Sequence, residues 1–416
     1  MRILLVFAAL ALVATLAVFM RPDPPIVIGA VYPTAGTHGS GGLEEFRGLQ
    51  LAAEYANRAG GVRGKRLVVA LAEAGSWDAA PYAIERLATR GVRIVVGSYG
   101  STVSVPAAET AARMGMVFWE TGAVAGFSMR SVAGERTFRF TAAGLALGRA
   151  SVSFTRDQLA ERLGRDKPLR YAVTYVDDVY GRAVGEGAIQ AIRESGLPLV
   201  AVLPYKLQRV DYDALARSIA RSGADVLVVG AYLDDGVALR RAIVRARVPL
   251  LASIGTSSSH CMPAFGDMLG DDAVGLFASD KPDGDILRVD ALAPDAAAAL
   301  VWSRTTYRKR FGAAMTAPAL TGFAGGLALF QYVLPRADEV SPAAVARAAQ
   351  AVKLPKGTLP NGSGLAFAAF GQPDAGNNMN ATSVIWQWVA PRTRAVVWPP
   401  AYATHPIVIP TRTSGR

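Results

Sequence analysis

From Ile26 to Ile254 the sequence alternates short apolar runs with longer segments whose apolar residues recur at helical spacing. The apolar runs are rich in Val and Ile, as expected for strands of a parallel sheet that is buried on both faces. Repeated strand–helix–strand units place the strands in one parallel sheet and the helices on its two sides. The pattern therefore predicts an α/β fold built from doubly wound parallel sheets.

The alternation falls into two series, on either side of the segment 137–141. The first series predicts strands at 26–32, 66–72, 92–96 and 116–119, and the second predicts strands at 169–176, 199–205, 225–230 and 250–254. Helices at 294–311 and 318–336 follow, and beyond Gly357 strands are expected at 365–370, 383–389 and 395–398. Since 416 residues are long for one core, we predict two domains, and if the two face one another, the loops at their strand ends line a single cleft.

The composition excludes several classes of function. Lys and Arg number 44 against 33 Asp and Glu, but the net charge of +11 is scattered, with no run of five like charges, so we expect no nucleic-acid partner. Cys261 is the only cysteine, and the three histidines, His38, His260 and His405, do not have metal-ligand spacing. We therefore expect no metal and no cofactor.

Sequence signatures of α/β enzymes are also missing. No Gly-x-Gly-x-x-Gly follows the first predicted strand, and the chain contains neither a Gly-x-x-x-x-Gly-Lys-Ser/Thr phosphate loop nor a Gly-x-Ser-x-Gly nucleophile elbow. We therefore predict that the protein is not an enzyme.

Residues 1–25 are predicted to be a signal peptide or a membrane anchor. Arg2 precedes an apolar run from Ile3 to Met20 that only Thr15 interrupts. The run is near the lower limit of about 17–25 residues for a bilayer span, and no small-x-small cleavage site follows it. The rest of the chain is expected outside the cytoplasm, in the periplasm or at the outer face of the inner membrane, with residues 3–20 either removed or kept as an anchor.

The turn Gly97–Pro106, between a predicted strand and a predicted helix, is rich in Gly and Ser. Unpaired N–H groups at a helix N-terminus attract anions. The turn could therefore hold a small acid, or Ser101 or Thr102 could simply cap the helix. In open parallel sheets, ligands lie beyond the carboxyl ends of the strands. The loops at such ends are Thr34–Gly42, Ser98–Thr102, Thr121–Val124, Asp177–Tyr180, Tyr232–Asp235 and Gly255–Ser259.

Five segments in order resemble the type I periplasmic solute-binding proteins of ABC transporters, in the leucine/isoleucine/valine-binding branch. Residues 28–36 resemble the opening strand and first ligand loop of that family, and 57–64 its N-x-x-GG-x-x-G turn. Residues 97–107 are similar to its Ser/Thr ligand loop, 180–181 to its Y-G pair, and 399–404 to its terminal PPEYAT segment. The resemblance covers nearly everything after residue 25.

The resemblance implies a two-lobed clamp with three crossings between the lobes. Lobe 1 would comprise 26–141 plus 272–340, and lobe 2 would comprise 142–271 plus 341–410. Ser101 and Thr102 would hold the ligand carboxylate, with backbone groups near Gly122 and Ala123, and Tyr180 and Tyr232 would close over the ligand. The full predicted ligand-binding set is Tyr99, Ser101, Thr102, Gly122, Ala123, Tyr180, Tyr232 and Ser257.

Two departures from the family pattern bear on the ligand. Amino-acid binders of this family carry an acidic residue in the loop that matches 256–258, where it meets the α-ammonium, but here the loop is Thr-Ser-Ser. A buried ammonium without a counter-charge is costly. The acids that could replace the missing one are Asp177, Asp178, Asp234 and Glu120. In addition, Gly39–Gly42 stands where relatives often carry an aromatic residue, which predicts a pocket that is either roomier or differently shaped.

The sequence therefore predicts a monomeric, extracytoplasmic binding protein that delivers a small solute to an ABC permease in the inner membrane. The solute would be amino-acid-like, an amide or a carboxylate, and would be bound by hinge closure. An alternative is a ligand sensor on the same fold, tethered to the membrane by residues 3–20.

Overall fold

The computed structural model describes residues 24–36, 38–125, 134–163, 167–372 and 374–409. The predicted signal peptide or anchor at 3–20 lies outside these residues. The described chain forms two α/β lobes, each built on its own sheet.

The sheet of lobe 1 has five parallel strands in the order β2-β1-β3-β4-β5. Its strands are β1 (Ile26–Tyr32), β2 (Leu67–Glu73), β3 (Ile94–Gly97), β4 (Val117–Glu120) and β5 (Thr137–Arg139). The connecting helices are α1 (Gly39–Arg58), α2 (Ala79–Thr89) and α3 (Ser101–Arg113). β3 and β4 are buried along their whole length, as their continuous apolar sequences predict.

The sheet of lobe 2 has seven strands in the order β12-β11-β10-β9-β8-β6-β7. Its strands are β6 (Tyr171–Val176), β7 (Leu199–Tyr205), β8 (Val226–Gly230), β9 (Ala252–Thr256), β10 (Phe277–Asp280), β11 (Val384–Ala390) and β12 (Thr393–Trp398). Strands β6 to β10 are parallel, whereas β11 pairs antiparallel with both β10 and β12. Its helices are α4 (Gly144–Phe154), α5 (Val179–Glu194), α6 (Tyr212–Ser222), α7 (Leu233–Arg245) and α8 (Pro263–Leu269).

Three later helices return to lobe 1. They are α9 (Pro294–Phe311), α10 (Ala317–Leu327) and α11 (Pro342–Ala351). Their apolar residues join the core cluster that also contains β1 and α1. The chain thus crosses between the lobes after β5, after β10 and before β11.

Helix α10 packs against α1 through glycines on both sides. A Cβ atom on Gly48 would collide with the carbonyl oxygen of Ala319, and one on Gly322 would collide with the carbonyl oxygen of Glu45. Among the described residues, the continuous helical run Ala317–Arg336 is long and apolar enough to cross a bilayer, but 83% of its apolar window is buried inside the protein. It is a core helix whose apolar character is explained by this packing.

The fold class predicted from the sequence is confirmed, with three corrections to its details. Residues 277–280, assigned to lobe 1, form the strand β10 of lobe 2. Residues 342–351, assigned to lobe 2, form α11 and pack on lobe 1. Residues 365–370 are not a strand but make only isolated bridges at Leu365 and Phe367, because Phe367 leaves the sheet to pack edge-on against the aromatic core of lobe 1.

Gly48→Ala tests the close approach of α1 and α10. Alanine has the higher helix propensity, but its methyl group would overlap backbone atoms of α10. We expect the free energy of unfolding to fall by about 1–3 kcal/mol, measured by urea denaturation. Gln50→Ala, on the exposed face of the same helix, should change it by no more than about 0.5 kcal/mol. Equal stability of the two variants would contradict the packing described here.

Candidate ligand-binding cleft

A cavity of about 240 Å³ lies between the two lobes, and both lobes line it. Lobe 1 contributes His38, Ser40, Gly41, Glu44, Tyr99, Gly100, Ser101, Gly122, Val124, Thr316, Ala317 and Pro318. Lobe 2 and its crossing contribute Tyr180, Tyr232, Ser257, Ser258, Cys261, Met262, Pro263, Ala264, Asp280, Lys281 and Arg394. The cavity lies beyond the carboxyl ends of the parallel strands, as ligand sites in open α/β sheets do.

Six of the eight residues predicted from the sequence line this cavity, and two do not. The six are Tyr99, Ser101, Gly122, Tyr180, Tyr232 and Ser257. Thr102 is turned away, and its hydroxyl lies 3.5 Å from Nε2 of His38. Ala123 is outside the lining, and its N–H donates to a carboxylate below the cleft. The turn of α3 decides that Ser101, and not Thr102, faces the cavity.

The N-terminus of α3 carries donors that face the cleft. Gly100 is its N-cap residue and provides no side-chain acceptor, so within the described part of the chain the N–H groups of Ser101 and Thr102 have neither an intrahelical nor a side-chain partner. A Cβ atom on Gly100 would lie 2.9 Å from the His38 ring. The Ser101 hydroxyl accepts from Ala125 N at 3.1 Å, which leaves its hydrogen for a ligand. This end of the cavity suits an anion.

Glu120, at the end of β4, fixes the two loops beside that helix terminus. Its carboxylate accepts from the N–H groups of Gly122 and Ala123, both at 2.7 Å, and of Ser98 at 3.0 Å. It also accepts from the Ser104 hydroxyl. Burial raises the pKa of Glu120 to about 7, although these donors and Arg139 oppose the shift. The N–H groups of Gly122 and Ala123 are therefore already occupied by Glu120, so the predicted contact of a ligand with backbone groups near these two residues stays a prediction that would have to use other atoms.

The aromatic side chains of lobe 2 are held by hydrogen bonds. The Tyr180 hydroxyl lies 2.9 Å from Thr256 Oγ1 and accepts from Ser258 N at 3.3 Å. The Tyr232 hydroxyl donates to Asp178 at 2.7 Å. The centroids of the Tyr180 and Tyr232 rings lie 5.0 Å apart. The centroid of the Tyr232 ring also lies 5.5 Å from that of the His38 ring of lobe 1. Tyr232 and His38 therefore form a contact across the cleft.

Four charged residues in the lining were missed by the sequence analysis. Asp280 is the last residue of β10 and Lys281 follows it, Arg394 lies on β12, and Glu44 lies near the start of α1. Lys281 Nζ donates to the carbonyl oxygen of Gly122 at 2.5 Å, and Arg394 pairs with Asp283 at 2.6 Å. Because β10 was not predicted, no sequence signal placed Asp280 and Lys281 at the end of a strand.

The four acids proposed to replace the missing acidic residue do not line the cavity. Asp177 pairs with Arg182, Asp178 caps α5 and binds Tyr232, Asp234 is exposed, and Glu120 is committed to backbone donors. The space beside Gly39–Gly42 is filled by the Tyr99 ring. This ring packs so closely against Gly41 that a Cβ atom there would collide with it. Asp280 and Glu44 are the carboxylates that reach the cavity.

No group of three His, Cys, Asp or Glu side chains in the described part of the chain could hold a metal ion. The Cys261 thiol is buried and donates toward Asp280 Oδ2 at 2.7 Å. Burial raises the pKa of that thiol well above its ordinary value, which makes it a weak nucleophile.

Two α/β lobes joined by three crossings, with a cavity between them that both lobes line, are the architecture of a bilobal solute-binding protein. The comparison with protein families agrees: the model of the periplasmic binding proteins matches residues 25–385. The chain belongs to this periplasmic binding protein family.

Its curated relatives include the Leu/Ile/Val-binding protein homolog 8 of Brucella abortus, 28% identical over 92% of this chain and 93% of the relative. Homolog 7 of Brucella melitensis is 27% identical over 97% of this chain and 98% of the relative.

Solved structures show the same fold. A putative branched-chain amino acid ABC transporter protein from Silicibacter pomeroyi superposes with a TM-score of 0.75, at 18% identity, covering 93% of this chain and all of that one. The branched-chain amino acid transporter substrate-binding protein of Streptococcus pneumoniae, solved with isoleucine, gives a TM-score of 0.70 at 19% identity, covering 90% of this chain and 100% of that chain.

The histidine in the loop between β9 and α8 makes the fold sensitive to acid. His260 is buried, stacks on Phe265 at 4.5 Å, and has its pKa lowered from 6.5 to about 3 by desolvation. Because the unfolded chain binds a proton there below pH 6.5 and the folded chain does not, this residue should cost about 2 kcal/mol of stability between pH 7 and pH 5.

The measurement is the free energy of unfolding against pH for the wild type and His260→Phe. Between pH 7 and pH 5 the free energy of unfolding of the wild type should fall by about 2 kcal/mol more than that of His260→Phe. His405→Gln, which changes a histidine that is only partly buried, should keep the wild-type slope. Parallel curves for wild type and His260→Phe would contradict the assignment of a neutral, buried imidazole.

Proposed function

We propose that this protein is the extracytoplasmic substrate-binding component of an ABC importer. It binds a small amino-acid-like, amide or carboxylate solute between its lobes and passes it, as a monomer, to a permease in the inner membrane. The observation that carries the proposal is the cavity lined from both lobes. The printed names of the relatives and of the structural neighbours, which refer to leucine, isoleucine and valine binding and to ABC transporters, support it.

Closure follows from where the contacts lie. A solute in the cavity touches the α3 terminus and Ser101 in lobe 1 and Tyr180 and Tyr232 in lobe 2. Contacts on both sides exist together only when the lobes are close, so the solute favours the closed arrangement over the open one. The three crossings form the hinge of this motion.

A solute screen tests the proposal. The solutes are leucine, isoleucine, valine, basic amino acids, acetamide, urea and small carboxylates. A bound solute at 100 times its Kd should add about 2.7 kcal/mol to the stability, seen as a higher Tm, and should lower the radius of gyration in small-angle scattering. Absence of both effects with every solute would reject the proposal.

Ser101→Ala tests the anion end of the cleft. The hydroxyl hydrogen is available to a carboxylate because its oxygen already accepts from Ala125. Removing it should weaken a carboxylate-bearing solute by about 1.5–3 kcal/mol, measured by calorimetry. Thr102→Val is the matched control, since that hydroxyl lies outside the cavity, and it should leave the affinity unchanged. If Thr102→Val weakened binding and Ser101→Ala did not, the anion would instead be bound by the Thr102 hydroxyl.

A further inference from the structure

The carboxylate of Asp280 is incompletely bonded. The residue is 3% exposed, at the end of β10, and lines the cavity. Its Oδ2 accepts from the Cys261 thiol, whereas its Oδ1 is buried and has no hydrogen-bond partner among the residues that the structure describes. A buried carboxylate oxygen without a donor is costly, and buried polar atoms in proteins almost always have partners. A donor from a molecule in the cavity would complete its bonding.

A second carboxylate approaches the same region from lobe 1. Glu44 also lines the cavity, and its Oε2 accepts from the Thr316 hydroxyl at 2.6 Å. The negative charges of Asp280 and Glu44 both act on Tyr99, where, after burial, they contribute to raising the pKa of the phenol. The two acids therefore share the neighbourhood of one lining side chain, although they come from different lobes.

The positive groups of the lining do not balance these acids. Arg394 is neutralised by Asp283, and both side chains of that pair are at least nine-tenths buried. Lys281 remains, with Nζ on the carbonyl oxygen of Gly122. His38 adds no positive charge at neutral pH, since burial lowers its pKa below 6.5. Burial raises the pKa of both Asp280 and Glu44; when both are ionised, two carboxylates face one ammonium, an excess of one negative charge in the lining.

On the basis of the function proposed above, we propose that the solute carries a net charge of +1. Its amine or guanidinium group pairs with the carboxylate of Asp280 beside Glu44, while its carboxylate lies at the N-terminus of α3. A basic amino acid has this combination of groups. A neutral zwitterion such as leucine would leave one negative charge uncompensated in the closed cleft, and an anionic solute would leave two, which a low-dielectric site penalises.

The test is calorimetry on the full chain with L-arginine, L-lysine and L-ornithine against L-leucine, L-isoleucine and L-valine. We expect a basic amino acid to bind most tightly. In Asp280→Asn its affinity should fall about 10- to 100-fold, the range for a hydrogen bond to a charged group, while binding of the neutral amino acids should weaken less. Asp225→Asn removes a buried carboxylate that pairs with Arg170 outside the cavity, and should leave the affinity unchanged.

Glu44→Gln keeps the test decisive if Asp280→Asn does not fold, because Glu44 is only half-buried. It should also weaken the basic amino acid more than leucine. Tighter binding of leucine, isoleucine or valine than of every basic amino acid would overturn the charge assignment and leave the proposed function standing. No binding by any of the six amino acids, with binding of an amide or carboxylate instead, would also overturn it. Failure of every solute class would reject both proposals.

Discussion

The cleft depends on one buried carboxylate. Glu120 accepts three backbone N–H groups and the Ser104 hydroxyl, which ties the loop after β3 to the loop after β4. Beneath it, Arg139 donates to the carbonyl oxygens of Ala123 and Ala125 and to Asn377 near the third crossing. Charge-assisted hydrogen bonds of this kind are stronger than neutral ones. These contacts connect the cleft surface of lobe 1 to the segment near the third crossing.

This arrangement decides which donors remain for a solute. Glu120 occupies the N–H groups of Gly122 and Ala123, whereas at the terminus of α3 the glycine N-cap leaves backbone donors without a side-chain partner among the described residues, and we propose that an anionic group of the solute binds there. The carbonyl oxygen of Gly122 is in turn bound by Lys281, which brings the segment after β10 against lobe 1. The polar groups of the loop 121–125 thus bind other parts of the protein, and its contribution to the cavity is mainly its shape.

Most strands and helices could be predicted from the sequence because their signals are local. Apolar runs of Val and Ile and helical spacing are visible within about ten residues, which identified β1 to β4, β6 to β9 and loops at the carboxyl ends of these strands. β10 was missed because Phe277–Asp280 is only four residues long and half polar. Asp280 and Lys281 were missed with it. The hydrogen bonds from the N–H groups of Gly122 and Ala123 to the Glu120 carboxylate depend on the folded conformation of the loop, which the order of residues does not show.

The unbonded oxygen of Asp280 also bears on how closure is controlled. In the proposed motion, closing an empty cleft buries this oxygen, and partly Glu44, without a cation, which costs on the order of 1–3 kcal/mol for each unsatisfied group. Ligand-free protein then favours the open arrangement, in which water reaches both carboxylates. A solute that supplies the cation removes that cost only in the closed arrangement. The same atoms would therefore select the solute and couple its binding to closure, because a ligand shifts a conformational equilibrium only by its difference in affinity for the two states.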